Sequence, residues 1–167
     1  MMSISFHNAD IKFSLPNRVT LRRFINHQIT ESSNHQIVSL SFIFCSDEYL
    51  LDINKKFLNH DYYTDIITFP LVQTEEELEA EIYISIDRVK ENAAKFKVKS
   101  PKPKANDFPG QSEFMDELHR VIFHGVLHLL GYKDKTKPQQ AEMRKMEDVW
   151  LAKYEREKTK QVNNGPK

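Results

Sequence analysis

His124-Gly125-Val126-Leu127-His128-Leu129-Leu130-Gly131-Tyr132-Lys133-Asp134 closes the most hydrophobic helical pattern in the chain. Phe114, Leu118, Val121 and Ile122 recur upstream at helical spacing, and the pattern predicts a helix that opens at Gln111 or Ser112. His124 and His128 lie four residues apart on one face of that helix, the spacing at which two imidazoles reach one metal ion. Gly131 follows where a helix can end in the left-handed conformation and send the chain back. The turn then returns Asp134. The pattern H-x-x-x-H-x-x-G-x-x-D therefore offers three ligands, His124, His128 and Asp134, two from a rigid helix and one from its reversing tail. Three protein ligands leave one coordination position for water, the mark of a catalytic rather than a structural metal site. Two unpaired imidazoles in so apolar a helix would be costly to bury.

The rest of the chain supplies layers for that helix to pack on. Ser3–His7 alternates as a short strand, and Pro16 opens a helical pattern through Val19, Leu21, Phe24, Ile25 and Ile29. Gln36–Phe44 reads as a second strand. Ser46-Asp47-Glu48 then starts a helix with an apolar face of Tyr49, Leu50, Ile53, Phe57 and Leu58. Asp65–Phe69 reads as a third strand stopped by Pro70, and Thr74–Glu77 as a turn. Ala80–Ile86 alternates as a fourth strand with Ile82, Ile84 and Ile86 on one face. Arg88–Phe96 is helical in pattern, and Lys97–Pro109, with three prolines among lysines, reads as a loop. Pro138 opens a last helix whose stripe is Met143, Met146, Trp150 and Tyr154, and the polar stretch 158–167 reads as a disordered tail. The expected architecture is one α+β domain over residues 1–157, a mixed four-stranded sheet packed with about five helices, the metal-binding helix at its centre.

Composition narrows the class further. A chain of 167 residues is long enough for a sizeable core without disulfides. Lys+Arg and Asp+Glu both number 24, so bulk positive charge cannot be what holds a nucleic acid, although a local basic patch can. No apolar run is long enough to span a membrane, and Met1–Phe6 has neither the basic nor the apolar part of a secretory signal. The single Cys45, in an apolar run, reads as a buried thiol in a reducing compartment, so a cytoplasmic location and no membrane partner are expected.

Two histidines followed by a glycine and a third ligand is a zincin-like spacing shared with zinc peptidases, but the glutamate they use as general base is Gly125 here. Residues His124–Tyr132 resemble instead the signature of the YbeY family of metal-dependent endoribonucleases, or rRNA maturation factors. Asn54 through Leu58-Asn59-His60-Asp61-Tyr62-Tyr63-Thr64-Asp65-Ile66-Ile67-Thr68-Phe69-Pro70 is similar to that family's segment ending in Thr-Asp-Val-Leu-Ser-Phe-Pro. Ala80-Glu81-Ile82-Tyr83-Ile84-Ser85 is similar to its Gly-Asp-Ile-x-Ile-Ser strand. Order and spacing agree over roughly residues 35–155. Three positions differ: Asp134 stands where the family has histidine, Leu58 where it has an arginine thought to hold substrate phosphate, and Ala80-Glu81 in place of Gly-Asp. Lys55, Lys56 and His60 are the neighbours that could stand in for the arginine.

The resemblance implies metal-assisted cleavage of single-stranded RNA in 16S rRNA 3′-end maturation and ribosome quality control. It implies as partners ribosomal RNA and the small ribosomal subunit, with a ribosomal protein and an assembly GTPase as further partners. One Zn2+ per chain is the expected cofactor; two histidines and a carboxylate also accept Fe2+, Mn2+ or Ni2+. His124 is then both ligand and neighbour of the attacking water, with Asp65 or Glu81 as the carboxylate that orients a ligand histidine or takes a proton. Lys95, Lys97, Lys99, Lys102 and Lys104, five lysines in ten residues, are candidate RNA-phosphate contacts, and Tyr62, Tyr63 and Tyr132 candidate base-stacking rings. The competing readings are a metallopeptidase-like hydrolase, and a non-catalytic ribosome-assembly factor with a structural metal.

Overall fold

Apolar alternation in the strands and apolar stripes on the helices must be buried against each other, and the result is a two-sided α+β arrangement. The structure, a computed structural model, describes residues 2–95 and 110–163. Its elements run β1 (Met2–Asn8), α1 (Arg18–Ser32), β2 (Ile37–Cys45), α2 (Asp47–Leu58), β3 (Ile66–Gln73), β4 (Glu77–Ser85), α3 (Ile86–Lys95), α4 (Gln111–Leu129) and α5 (Lys137–Asn163). The loop expected at 97–109 lies outside the described residues, as do Lys97, Lys99, Lys102 and Lys104.

The four strands form one mixed sheet in the order β1-β2-β4-β3, with β1, β2 and β4 parallel and β3 antiparallel to β4. Ile4, Leu40, Phe42, Ala80, Ile82 and Ile84 point to the face that carries α1, α4 and α5, where they join Leu21, Phe24, Ile122, Phe123, Val126 and Trp150 in one buried cluster. Phe24 sits at its hub, with ring centroids 5.3 Å from Phe123 and 6.1 Å from Trp150. Each such fully buried ring or branched chain contributes about 1.5–3 kcal/mol. On the other face α2 covers a smaller cluster of Cys45, Leu50 and Ile67. Cys45 is the buried thiol expected, its pKa pushed up to about 12 by burial first and by the charges of Asp10, Asp47 and Asp87.

Several elements depart from their sequence reading. β3 runs through Pro70 to Gln73 instead of stopping, because it is an edge strand where a missing N–H costs no ladder bond, and its register slips between Pro70 and Val72. Ile86 opens α3 rather than ending β4. Val19 faces solvent and Thr20 takes its place inward. Phe57 and Leu58 are exposed, so the buried face of α2 is narrower than its apolar residues imply. The tail reading fails over 158–163: α5 continues to Asn163, tied to α1 by the Thr20 hydroxyl, which donates to Gln161 Oε1 at 2.6 Å. No described helix is long and apolar enough to cross a membrane.

Candidate metal centre

The site is built by the last two turns of α4 and the reversal after them. Gly131, at φ 97°, takes the left-handed conformation that ends the helix. Tyr132 N–H then bonds the Leu127 carbonyl and Gly131 N–H that of His128, a Schellman closure that turns the chain back over its own helix. That closure carries Asp134 back to the two histidines. His124 Nε2 and His128 Nε2 lie 2.9 Å apart, and Asp134 Oδ2 lies 3.5 Å and 3.3 Å from them.

The tautomers follow from the other ring nitrogens. His124 Nδ1 lies 2.7 Å from Glu147 Oε1, and His128 Nδ1 lies 2.9 Å from the Tyr132 carbonyl. Both partners only accept, so both Nδ1 atoms donate, and in the neutral rings both Nε2 atoms present lone pairs. Two lone pairs and a carboxylate oxygen thus face one another with no donor among them, an arrangement only a cation or an added proton relieves. Tetrahedral ligands about 2.0–2.1 Å from one ion stand ~3.3 Å apart. The two histidine–carboxylate separations match and the two imidazole nitrogens stand somewhat closer, so the donor set fits a divalent metal.

Glu147 is the residue sequence reading missed. It is 5 % exposed, on the buried stripe of α5 between Met143 and Trp150. A carboxylate in such a stripe was the only available signal, since its partners are far away in sequence. Its second oxygen accepts from Arg120 Nη1 at 3.0 Å, and Arg120 Nη2 reaches Asp148 at 2.9 Å. Burial would raise the Glu147 pKa, but the hydrogen bonds from His124 and Arg120 hold it below the usual carboxylate value. Burial would likewise depress His124; the Glu147 hydrogen bond and the charges of Glu147, Asp134 and Asp65 outweigh it and raise the imidazole's pKa. A carboxylate behind a ligand histidine fixes its tautomer and strengthens its donor power.

The triad opens onto a cleft of about 520 Å³ whose other walls include Asn54, Leu58, His60, Tyr62, Asp65 and Gln73. The structure brings Asp65 to this cleft, its carboxyl pKa raised by burial against the smaller opposing charge of His124. Glu81 is not brought there. Strand alternation places it on the sheet face opposite Ile82, which packs on α4, and its carboxylate accepts from the Tyr83 hydroxyl at 2.9 Å. Glu81 is therefore withdrawn from any role at the centre.

Lys95 is exposed and paired with Glu91 at 2.7 Å. Lys55 and Lys56 pair with Asp61 and Asp52 and do not line the cleft, whereas His60 does, stacked on Tyr62 at 5.1 Å. Tyr63 is engaged elsewhere, by Glu48 and beneath Arg88, and Tyr132 is half-buried against the core. At Gly125 α4 rides close on the sheet: a Cβ there would meet Ile66 Cδ1 at 2.8 Å and Ile82 Cγ2 at 3.3 Å. A side chain at the position where a zinc peptidase keeps its glutamate would have to displace the tip of Ile66.

Residues 3–155 match the family model described as Endoribonuclease YbeY. The chain belongs to the YbeY family. It is 44% identical over 150 residues to the Endoribonuclease YbeY of Cytophaga hutchinsonii, covering 90% of this chain and 94% of that one. The Amoebophilus asiaticus protein of the same name is 42% identical over 149 residues, covering 89% and 91%. That of Bacteroides thetaiotaomicron is 34% identical over 152 residues, covering 90% and 98%. Matches of this length place the YbeY likeness across the sheet and α4 together, not on the histidine motif alone.

Proposed function

We propose that this chain is a metal-dependent endoribonuclease that cuts single-stranded RNA, acting on ribosomal RNA of the small subunit at its 16S 3′ end and in ribosome quality control. The observation that carries this reading is the convergence of His124 Nε2, His128 Nε2 and Asp134 Oδ2 at the floor of an open cleft, all three within bonding reach of one cation. Membership of a family whose relatives are named endoribonucleases supports the substrate class. A divalent ion there, Zn2+ by preference with Fe2+, Mn2+ or Ni2+ as alternatives, would supply Lewis-acid polarisation of a phosphate oxygen and acidify a water.

The chain's own residues do the rest. Glu147 holds the His124 ring, and the Tyr132 carbonyl holds the His128 ring. Asp65, whose raised pKa suits a proton acceptor, takes the proton from the attacking oxygen at the cleft wall. Tyr62, exposed at the rim with His60 stacked on it, offers an unpaired base a ring to lie on. The small subunit, one of its proteins and an assembly GTPase are the proposed partners, in the cytoplasm. A peptidase is disfavoured because Gly125 leaves it no base, and a purely structural metal because the triad remains open to the cleft.

Elemental analysis of the parent and of Asp134→Ala, beside cleavage assays on single-stranded RNA and casein, tests this. Metal near one equivalent in the parent, much less in the variant, and RNA cleavage lost in His124→Ala are expected. Cleavage of casein by the parent, or binding to ribosomes with no cleavage of either substrate, would overturn the reading.

A further inference from the structure

The cleft that holds the triad contains no lysine or arginine among its described walls, so among the described residues only an ion held by the triad would meet a phosphate's charge there. The cations are next door. A second cavity of about 520 Å³ shares Asp65, Ile66 and His124 with the cleft, and its remaining walls include Asn92, Glu117, Arg120 and Arg144.

The two arginines are not equivalent. Arg120 is committed, one guanidinium nitrogen to Glu147 and the other to Asp148. Arg144, on the second turn of α5, is 59% exposed, and its nearest carboxylate oxygen, Glu147 Oε2, is 3.7 Å away, beyond hydrogen-bond range. Glu147 is in any case already held by His124 and Arg120. Among the described residues no hydrogen bond holds Arg144, so it presents a guanidinium fork to a concave space beside the triad, the geometry in which arginine recognises phosphate.

We propose that this second cavity seats the phosphate neighbouring the scissile one, with Arg144 as its anion-binding side chain. The proposal rests on the ribonuclease reading above. A single strand carries a phosphate at every nucleotide, so a chain crossing the shared wall places one phosphate at the triad and an adjacent one beside Arg144. Arg120 and Glu147 neutralise each other, and the other acidic groups of the cavity among the described residues are Asp65 and Glu117. Without Arg144 the cavity turns acidic and repels the strand.

The test compares the metal-loaded parent, Arg144→Ala and Arg144→Lys on a dinucleoside monophosphate and on trinucleoside diphosphates extended by one phosphate on either side. In parallel, the metal-free proteins bind a fluorescent single-stranded RNA hexamer across a range of salt. Arg144 is exposed and alanine favours helix, so an unchanged melting midpoint is expected and serves as the folding control. Arg144→Ala should raise KM about tenfold on one of the trinucleotides, leave kcat near the parent value and leave the dinucleotide unaffected, with the lysine variant between. It should also bind the hexamer about tenfold more weakly, with a log–log salt slope shallower by about 0.7. Parent-like behaviour of the alanine variant on every substrate, with parent-like hexamer binding, overturns the phosphate seat and leaves the nuclease reading standing. An equal loss on the dinucleotide also overturns it, because Arg144 would then serve the scissile phosphate itself. A parent that cleaves no RNA overturns both.

Discussion

Two histidines five residues apart on α4 have opposite fates. His119 is 3% exposed, and neither of its ring nitrogens has a hydrogen-bond partner among the described residues. It lies edge-on to Tyr154 at 4.8 Å and stacked beside Phe123, and burial, helped by the charge of Lys158, pushes its pKa down to about 3. His124, one turn and a half further on, is surrounded by Glu147, Asp134 and Asp65, and its pKa goes up. The same side chain on the same helix is an apolar plate in one place and a polarised, carboxylate-held ring in the other. The difference lies in which carboxylates the rest of the fold brings to it.

The largest effect should come from taking the carboxylate away from the second histidine. Glu147→Ala should weaken metal binding about 10–100-fold by competition with a chelating dye, since the His124 tautomer is no longer fixed. Metal affinity equal to the parent's would show that the ring is oriented by something else, and the contrast with His119 would lose its cause.

A distinctive effect, spread over pH, belongs to His119. Its pKa is near 6.5 in the unfolded chain and about 3 in the folded one. Above pH 6.5 the ring is neutral in both states and its contribution is fully present. Between about pH 6.5 and pH 3 only the unfolded state takes the proton, so stability falls as pH falls, by up to about 1.4 kcal/mol per pH unit. Urea melts of His119→Phe between pH 7 and pH 4 should show a slope shallower than the parent's by that amount. Parallel slopes would mean that His119 is protonated inside the fold.

The last effect tests Gly125, the residue that follows His124 and brings no side chain to either region. Gly125→Ala should cost about 1–3 kcal/mol in a thermal or urea melt, because the added methyl meets Ile66 and Ile82, while metal stoichiometry stays near that of the parent. A neutral substitution would show that the Ile66 side chain swings aside and that α4 is not pinned by contact with the sheet.

The legibility of the molecule follows the same division. The triad was readable because its ligands fall within eleven consecutive residues, where helix periodicity and one left-handed glycine fix their relation. Asp65 was within reach as a carboxylate beside a strand, although its nearness to His124 was not. Glu147 was hidden because its service to His124 depends on how α5 crosses α4, which no local pattern records. Glu81 is the instructive error. The alternation that put Ile82 and Ile84 on one face already put Glu81 on the other, and only knowledge of which face α4 covers separates a site carboxylate from a remote one. Pro70 and the polar end of α5 misled for a related reason: a proline does not stop an edge strand, and contact with α1 carries a helix through a sequence too polar to hold it alone.

β3 lies at the open border of the sheet, beside the cleft. With Pro70 and a register slip in its middle, that border offers an incoming strand neither an unbroken row of donors nor a flat ribbon to align with. Stacking of one molecule on another through this rim is thereby discouraged, and the mouth of the cleft beside it is kept clear of a second copy.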